Sequence, residues 1–148
     1  MIFKIASACI GSVGFAILLK IRGRQIVYVG IGGAVSWTAY VLMYLLCNSY
    51  FTANFTAAIV VAVYAEIMAR VNRVPTTIFL TAAAIPLIPG RNLYYTMYGI
   101  VSEEYDVALQ NGVTASVIAL AIGLGFVCVT VALRLIGLVT KSKEEKNV

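Results

Sequence analysis

Long apolar segments recur along the chain and constrain its fold more than any other feature. A helix needs about 20 apolar residues to cross the hydrocarbon core of a bilayer. The chain is 61% hydrophobic and only 11% charged, whereas soluble domains carry about 25% charged residues. A chain of 148 residues has too small an interior to bury so much apolar surface. The sequence therefore predicts an all-α, polytopic integral membrane protein that forms one transmembrane domain over residues 1–148.

Five segments have the length and composition of membrane spans. We expect the fourth to be broken at Pro86, Pro89 and Gly90, and the fifth to be followed by a short cytoplasmic tail over residues 141–148. An odd number of spans places the two termini on opposite sides of the membrane. The predicted spans cover about residues 2–19, 26–47, 53–69, 75–101 and 113–133.

The basic residues indicate the orientation, because Lys and Arg in short loops remain cytoplasmic. Lys4 and Arg91 fall on the opposite side, together with the uncharged segment 48–52. We therefore expect an external N-terminus and a cytoplasmic C-terminus. This orientation explains the net charge of +5 without a nucleic-acid partner. Eight basic residues mark the expected cytoplasmic side: Lys20, Arg22, Arg24, Arg70, Arg73, Lys141, Lys143 and Lys146.

The residue types needed for enzyme chemistry are scarce. The chain has no histidine, and its six carboxylates are dispersed. The three cysteines, Cys9, Cys47 and Cys128, lie far apart in apolar stretches, without the spacing of a zinc site or a redox pair. The sequence thus predicts no enzyme activity, no metal site and no cofactor.

Two prolines interrupt the fourth span. Pro86 and Pro89 each lack a backbone N–H, so the helix has to kink or break before Gly90. Within a membrane, such backbone is tolerated only where it faces protein or a watery cavity, and transporters use helix breaks to bind substrates and ions. A kinked packing helix that binds nothing is the alternative interpretation.

The segment after the break offers further candidates for substrate binding. A helix that restarts at Arg91 and Asn92 exposes N-terminal amides that suit a carboxylate. Arg91 can equally extend to the interface, and tyrosines such as Tyr94 are typical interfacial anchors. Met97 lies on the apolar face of the same segment.

Glu66 is the only carboxylate inside a predicted apolar span. An ionisable residue in that position is a candidate for proton or ion coupling. Arg70 follows four residues later, in the favourable order for a helical ion pair. The structural pair is the favoured interpretation, and a coupling role is the alternative.

Polar-aromatic and small residues on two spans indicate faces that pack against other helices. The second span carries a polar-aromatic stripe, whose polar groups would find no hydrogen-bond partner in lipid. The fifth span carries small residues four positions apart, which allow two helices to approach closely. These faces serve either this chain or a partner. The residues are Ser36, Trp37, Tyr40 and Tyr44 on the second span, and Ala119 and Gly123 on the fifth.

The stretch FLTAAAIPLIPG at residues 79–90, followed by LYYTMY at residues 93–98, resembles the A-x-I-P-x-x-P-G and Y-x-x-M signature of the threonine/serine exporter family's second membrane domain. The segment GFAILL at residues 14–19, which is followed by a basic turn, is also similar to that domain. Pro86, Pro89 and Gly90 match the signature, and Tyr94 and Met97 match it more loosely.

The resemblance implies a stand-alone small subunit in the bacterial cytoplasmic membrane that works beside a larger membrane subunit of the same family. It implies proton-driven export of L-threonine or L-serine, and the alternative substrate is a dicarboxylate such as succinate. Five spans fit one half of an inverted-repeat transporter. A non-transporting scaffold or assembly subunit, held to its partner by the packing faces, is the alternative, and a homo-oligomeric channel is disfavoured because no span repeats a polar lining.

Overall fold

The computed structural model describes the backbone of residues 2–145 and the side chains of residues 3–136. Within residues 2–145 the chain is helical and contains no strand, as predicted. A single 3₁₀ turn, Ile85–Leu87, lies between the fourth and fifth helices. The helices are α1 (Ile2–Leu18), α2 (Gln25–Cys47), α3 (Tyr50–Asn72), α4 (Thr76–Ala83), α5 (Gly90–Val101) and α6 (Tyr105–Glu145).

Among the residues that the structure describes, three helices are long and apolar enough to cross a membrane: α2, α3 and the portion of α6 from Tyr105 to Ile136. The apolar segments Phe3–Leu18 and Thr76–Leu87 are shorter. The count of about five spans therefore stays a prediction. Backbone helix in α6 extends to Glu145, and the side chains of the predicted tail 141–148 lie outside the described residues.

Small residues bring the helices together. α3 lies between α2 and α6, while α1 packs on α2, and α5 packs on α6. A Cβ added at Gly125 of α6 would lie 2.7 Å from the Ala58 Cβ and 2.9 Å from the Phe55 carbonyl oxygen. On α2, a Cβ at Gly33 would overlap the Ser12 side chain of α1. These close approaches explain why alanine and glycine dominate the core.

The bundle has two chemically different ends, set by the direction of α3. The turn of Asn48 and Ser49 precedes α3, and we call this the turn end. Arg73 follows α3 at the other end, where the α1–α2 turn packs against the start of α4. We call this the basic end, because Lys20, Arg22, Arg24, Arg70 and Arg73 gather there.

Candidate functional site

The fourth predicted span is broken where the prolines occur. Regular α-helix stops at Ala83, and the Leu87 and Ile88 amides donate to the carbonyls three residues earlier, at 3.0 and 3.1 Å. Pro86 has no N–H to continue the helical ladder. α5 then begins at Gly90, directly after Pro89. The segment therefore consists of two helices joined by one 3₁₀ turn and a short extended link.

The end of α4 is fixed by two residues of α2. The fully buried Ser36 hydroxyl lies 3.1 Å from the Ala83 carbonyl oxygen and 2.9 Å from that of Gly33, and it can donate to either. One turn earlier, Gly32 leaves room for Ala83, because a Cβ there would lie only 2.8 Å from the Ala83 Cβ. Ser36 thus satisfies a carbonyl that the break releases. Of the residues predicted to form a packing face, Ser36 packs within this chain.

A cavity of about 850 Å³ lies against the break, toward the turn end, and we call it the break cavity. Residues of α2, α3, α5 and α6 line it, together with the segment Pro86–Pro89 and the first turn of α1. Its lining brings together five of the predicted substrate-binding residues with three of the predicted packing residues: Pro86, Pro89, Gly90, Arg91, Asn92, Trp37, Tyr40 and Tyr44.

The lining of the break cavity mixes apolar and polar residues, and its charged residues are all cationic. Lys4 and Arg91 are its two charged residues, and no carboxylate is among the residues that line it. Asn92 donates a long hydrogen bond of 3.5 Å to the Asn111 amide oxygen. Asn54 is 2% exposed, and its amide nitrogen donates to the Tyr50 carbonyl. The lining therefore combines two positive charges with side-chain amides and contains no negative charge.

The first turn of α5 opens on the break cavity without a side-chain cap. The Gly90 amide donates to the Ile88 carbonyl at 2.8 Å, and the Leu93 amide donates to the Pro89 carbonyl at 3.0 Å. The amides of Arg91 and Asn92 have no backbone acceptor within the described part of the chain. Free amides at a helix start carry partial positive charge and bind anions.

An aromatic ladder runs along one wall of the break cavity. Trp37 and Tyr40 have ring centroids 5.2 Å apart, Tyr40 and Tyr44 5.9 Å, and Tyr44 and Tyr50 5.2 Å. The buried Trp37 Nε1 has no hydrogen-bond partner among the described residues. The ladder therefore lines this wall of the cavity with aromatic rings, and one buried indole N–H beside it is without a partner in the described part of the chain.

Seven of the predicted residues lie outside the break cavity: Ser36, described above, the pair Glu66 and Arg70, described below, and Tyr94, Met97, Ala119 and Gly123. Tyr94 is 64% exposed and Met97 is 66% exposed, both on the outer face of α5. Tyr94 stacks on Tyr98 with 6.3 Å between centroids, an arrangement that suits an interfacial anchor. Ala119 and Gly123 are exposed on α6, where a Cβ at Gly123 would meet nothing within 4 Å. Neither residue takes part in packing within this chain.

Glu66 and Arg70 form an ion pair at the basic end, away from the break cavity. The Arg70 guanidinium donates to Glu66 Oε1 at 3.0 Å, and the Thr76 hydroxyl donates to Oε2 at 2.8 Å. Thr76 is the first residue of α4, so the carboxylate ties α3 to the start of α4. The Arg70 side chain is 69% exposed. The hydrogen bond from Thr76 to Glu66 was not expected from the sequence.

Several lining residues were missed by the sequence reasoning. Lys4 was interpreted only as one of two basic residues on the side opposite the cytoplasm, and Asn54 lies in a predicted span without having been singled out. A signal existed on α6, where three polar residues recur at spacings of three and four. The missed residues are Lys4, Tyr50, Asn54, Gln110, Asn111 and Thr114.

The chain matches a known family over most of its length. The family model described as "Threonine/Serine exporter, ThrE" matches residues 4–132, which include α2 to α5 and most of α1 and of the apolar part of α6. No solved structure matches the chain significantly. The matched range contains the whole lining of the break cavity.

Proposed function

Because the chain belongs to the threonine/serine exporter ThrE family, we propose that it is the small subunit of a secondary active exporter of small polar solutes. The family is one of transporters and not of enzymes, and the apolar helices agree with a membrane protein. The break cavity is then this subunit's part of the translocation pathway. The observation that carries the proposal is the uncapped start of α5, which meets Lys4 and Arg91 at one polar cavity.

The expected ligand group is a carboxylate. Free amides at the start of α5 and the Arg91 guanidinium favour negative charge, and Lys4 adds a second cation. L-threonine and L-serine each carry one carboxylate, together with a hydroxyl that suits neighbouring amide groups such as that of Asn92. The backbone departs from regular α-helix at this point because of Pro86, Pro89 and Gly90.

A dicarboxylate such as succinate is the second candidate. The break cavity offers two cations and no carboxylate in its lining, so the ammonium group of an amino acid has no charged partner there. A dianion needs no such partner. If the substrate is threonine or serine, a second subunit has to supply the group that binds the ammonium.

We propose a larger membrane subunit of the same family as that partner. Midplane sites in inverted-repeat transporters lie between the repeats, so one repeat supplies half a site. The exposed Ala119 and Gly123, together with the outer face of α5, provide surface for contact. In the proposed bacterial cytoplasmic membrane, with the N-terminus outside, the break cavity opens toward the outer half. The scaffold alternative uses the same surfaces without a translocation role.

Reconstitution tests the proposal. Proteoliposomes that contain this chain alone should show background flux of threonine, serine and succinate, and the larger subunit should restore saturable transport of at least one solute. The Arg91→Gln variant should raise KM at least about tenfold, because hydrogen bonds to charged groups contribute about 1.5–3 kcal/mol. Arg134→Gln is the matched control, since this exposed arginine of α6 lies outside the cavity lining.

Three results would contradict the proposal. Saturable flux from the chain alone would favour a homo-oligomer. An assembled complex that transports none of the three solutes would favour the scaffold. An unchanged KM in Arg91→Gln would remove the break cavity from the substrate pathway.

A further inference from the structure

A second concave surface lies at the basic end and shares no lining residue with the break cavity. It is a groove of about 620 Å³ between the α1–α2 turn and the outer face of α4, and we call it the basic groove. Nothing in the proposed transport mechanism uses it. The residues that line it are Leu19, Lys20, Ile21, Arg22, Gln25, Thr77, Ile78 and Thr81.

The end of α1 fixes the two cations of the basic groove. α1 ends in a Schellman motif, in which the Ile21 amide donates to the Ala16 carbonyl at 3.0 Å. Ile21 is 8% exposed and packs with Ala16 in the core. Since Ile21 points inward, Lys20 and Arg22 on either side of it are exposed at the groove. Lys20 occupies the left-handed position, with φ +56°, where glycine is the usual residue.

Neither cation has a carboxylate partner among the side chains that the structure describes. Among the described side chains, residues 3–136, the only ion pair is that of Arg70 and Glu66. No carboxylate lines the basic groove. Arg24 and Arg73 lie at the same end, so the local field is strongly positive. The basic groove therefore favours an anion from outside the chain.

The remaining lining residues indicate what kind of anion fits. Gln25 and Thr77 offer uncharged donors beside the cations, which suits the several oxygens of a phosphate group. Leu19 and Ile78 add apolar surface to the same groove. A free phosphate gains nothing from contact with apolar side chains. The glycerol backbone and first acyl carbons of a phospholipid can pack against them.

We propose that the basic groove is a binding site for the headgroup of an anionic phospholipid. Lys20 and Arg22 bind the phosphate, Gln25 and Thr77 donate hydrogen bonds to it, and the acyl chains leave along Leu19 and Ile78. Basic pockets between membrane helices on the cytoplasmic side bind anionic headgroups in this way. The site depends neither on the transported solute nor on the larger subunit.

The test measures binding of short-chain phosphatidylglycerol to the purified full-length chain in neutral detergent, by native mass spectrometry or thermophoresis. We expect saturable binding that phosphatidylcholine and inorganic phosphate of equal concentration do not displace. The variant Lys20→Gln/Arg22→Gln should weaken binding roughly 25-fold, because each cation near an anionic lipid contributes about fivefold.

The control Arg24→Gln/Arg73→Gln removes the same charge from the same end. It also replaces one residue in the left-handed backbone conformation, because Arg73, like Lys20, has a positive φ. Neither Arg24 nor Arg73 lines the groove. This variant should change the affinity by less than about threefold. If the groove variant fails to fold, Arg22→Gln alone should still weaken binding about fivefold.

Three outcomes would overturn the proposal. If both double variants lose the same affinity for phosphatidylglycerol, the lipid is attracted by the net charge of this end and not by a specific site. Equal binding of phosphatidylcholine would show that the cations contribute nothing. Displacement by inorganic phosphate would show that the acyl chains and the apolar surface play no part.

Discussion

Replacing Gly32 by alanine tests whether α2 fixes the position of the helix break. The new Cβ would lie 2.8 Å from the Ala83 Cβ and 2.8 Å from Tyr64 Cε1, closer than real Cβ atoms approach other atoms. The Tyr64 ring cannot move freely, because its hydroxyl donates to the Tyr28 carbonyl at 2.7 Å. We therefore expect the end of α4 to move away from α2 and to lose its hydrogen bond with Ser36.

The magnitude follows from two opposing contributions. Overpacking of this kind costs about 1–3 kcal/mol, while Gly→Ala inside a helix gains up to about 1 kcal/mol. Gly11→Ala is the matched control, because Gly11 lies inside α1 and a Cβ there meets nothing within 4 Å. The two variants share the helix-propensity gain, so their difference isolates the steric cost.

Thermal unfolding of the detergent-purified chain measures this difference, with the fluorescence of Trp37, the single tryptophan, as the signal. A chain of this size loses about 2–4 °C in Tm per kcal/mol, so Gly32→Ala should melt roughly 2–12 °C below Gly11→Ala. Equal Tm values for the two variants would refute the reasoning. The contact between α2 and the end of α4 would then not position the break.

Two further predictions concern the charged residues and the orientation. Glu66→Gln should lower Tm by only about 1–2 °C, because exposed helical ion pairs contribute about 0.3–0.5 kcal/mol, and it should keep proton-dependent transport in the reconstituted pair. A folded Glu66→Gln variant that transports without proton dependence would instead assign Glu66 to coupling. For the orientation, Cys47 is exposed at the turn end, so an impermeant thiol reagent should label it in intact cells after Cys9 and Cys128 are replaced. A single cysteine at Pro75, exposed at the basic end, should react only after permeabilisation, and the reverse pattern would invert the proposed topology.

The helical fold and the break were predictable from the sequence, because proline acts locally. Pro86 and Pro89 remove two backbone donors whatever surrounds them, and the chain departs from α-helix between Ala83 and Gly90. The Glu66–Arg70 pair was predictable for the same reason, since a spacing of four places both side chains on one helix face.

The break cavity as a whole was not predictable, because it depends on which helices are neighbours. Asn54 and Asn111 lie 57 positions apart and come to the same surface only through the packing of α3 on α6. The orientation argument placed Lys4 on the external side and gave no reason to connect it with the break. Ala119 and Gly123 have the spacing of a packing motif, yet the face that α6 uses within the chain contains Gly125. Small residues permit close approach on any face and do not select the face that is used.

The lengths of α4 and the 3₁₀ turn place the proposed site away from the middle of the membrane. α4 has 8 residues and the 3₁₀ turn has 3, so at about 1.5–2 Å per residue the start of α5 lies roughly 20 Å from the basic end. A hydrocarbon core is about 30 Å thick, so the free amides that we propose to bind an anion would lie in the far half. An inverted partner would place its own break at a similar depth from the opposite face. The two half-sites would then be offset along the pathway, so that a solute passes from the partner's break to this one as access alternates.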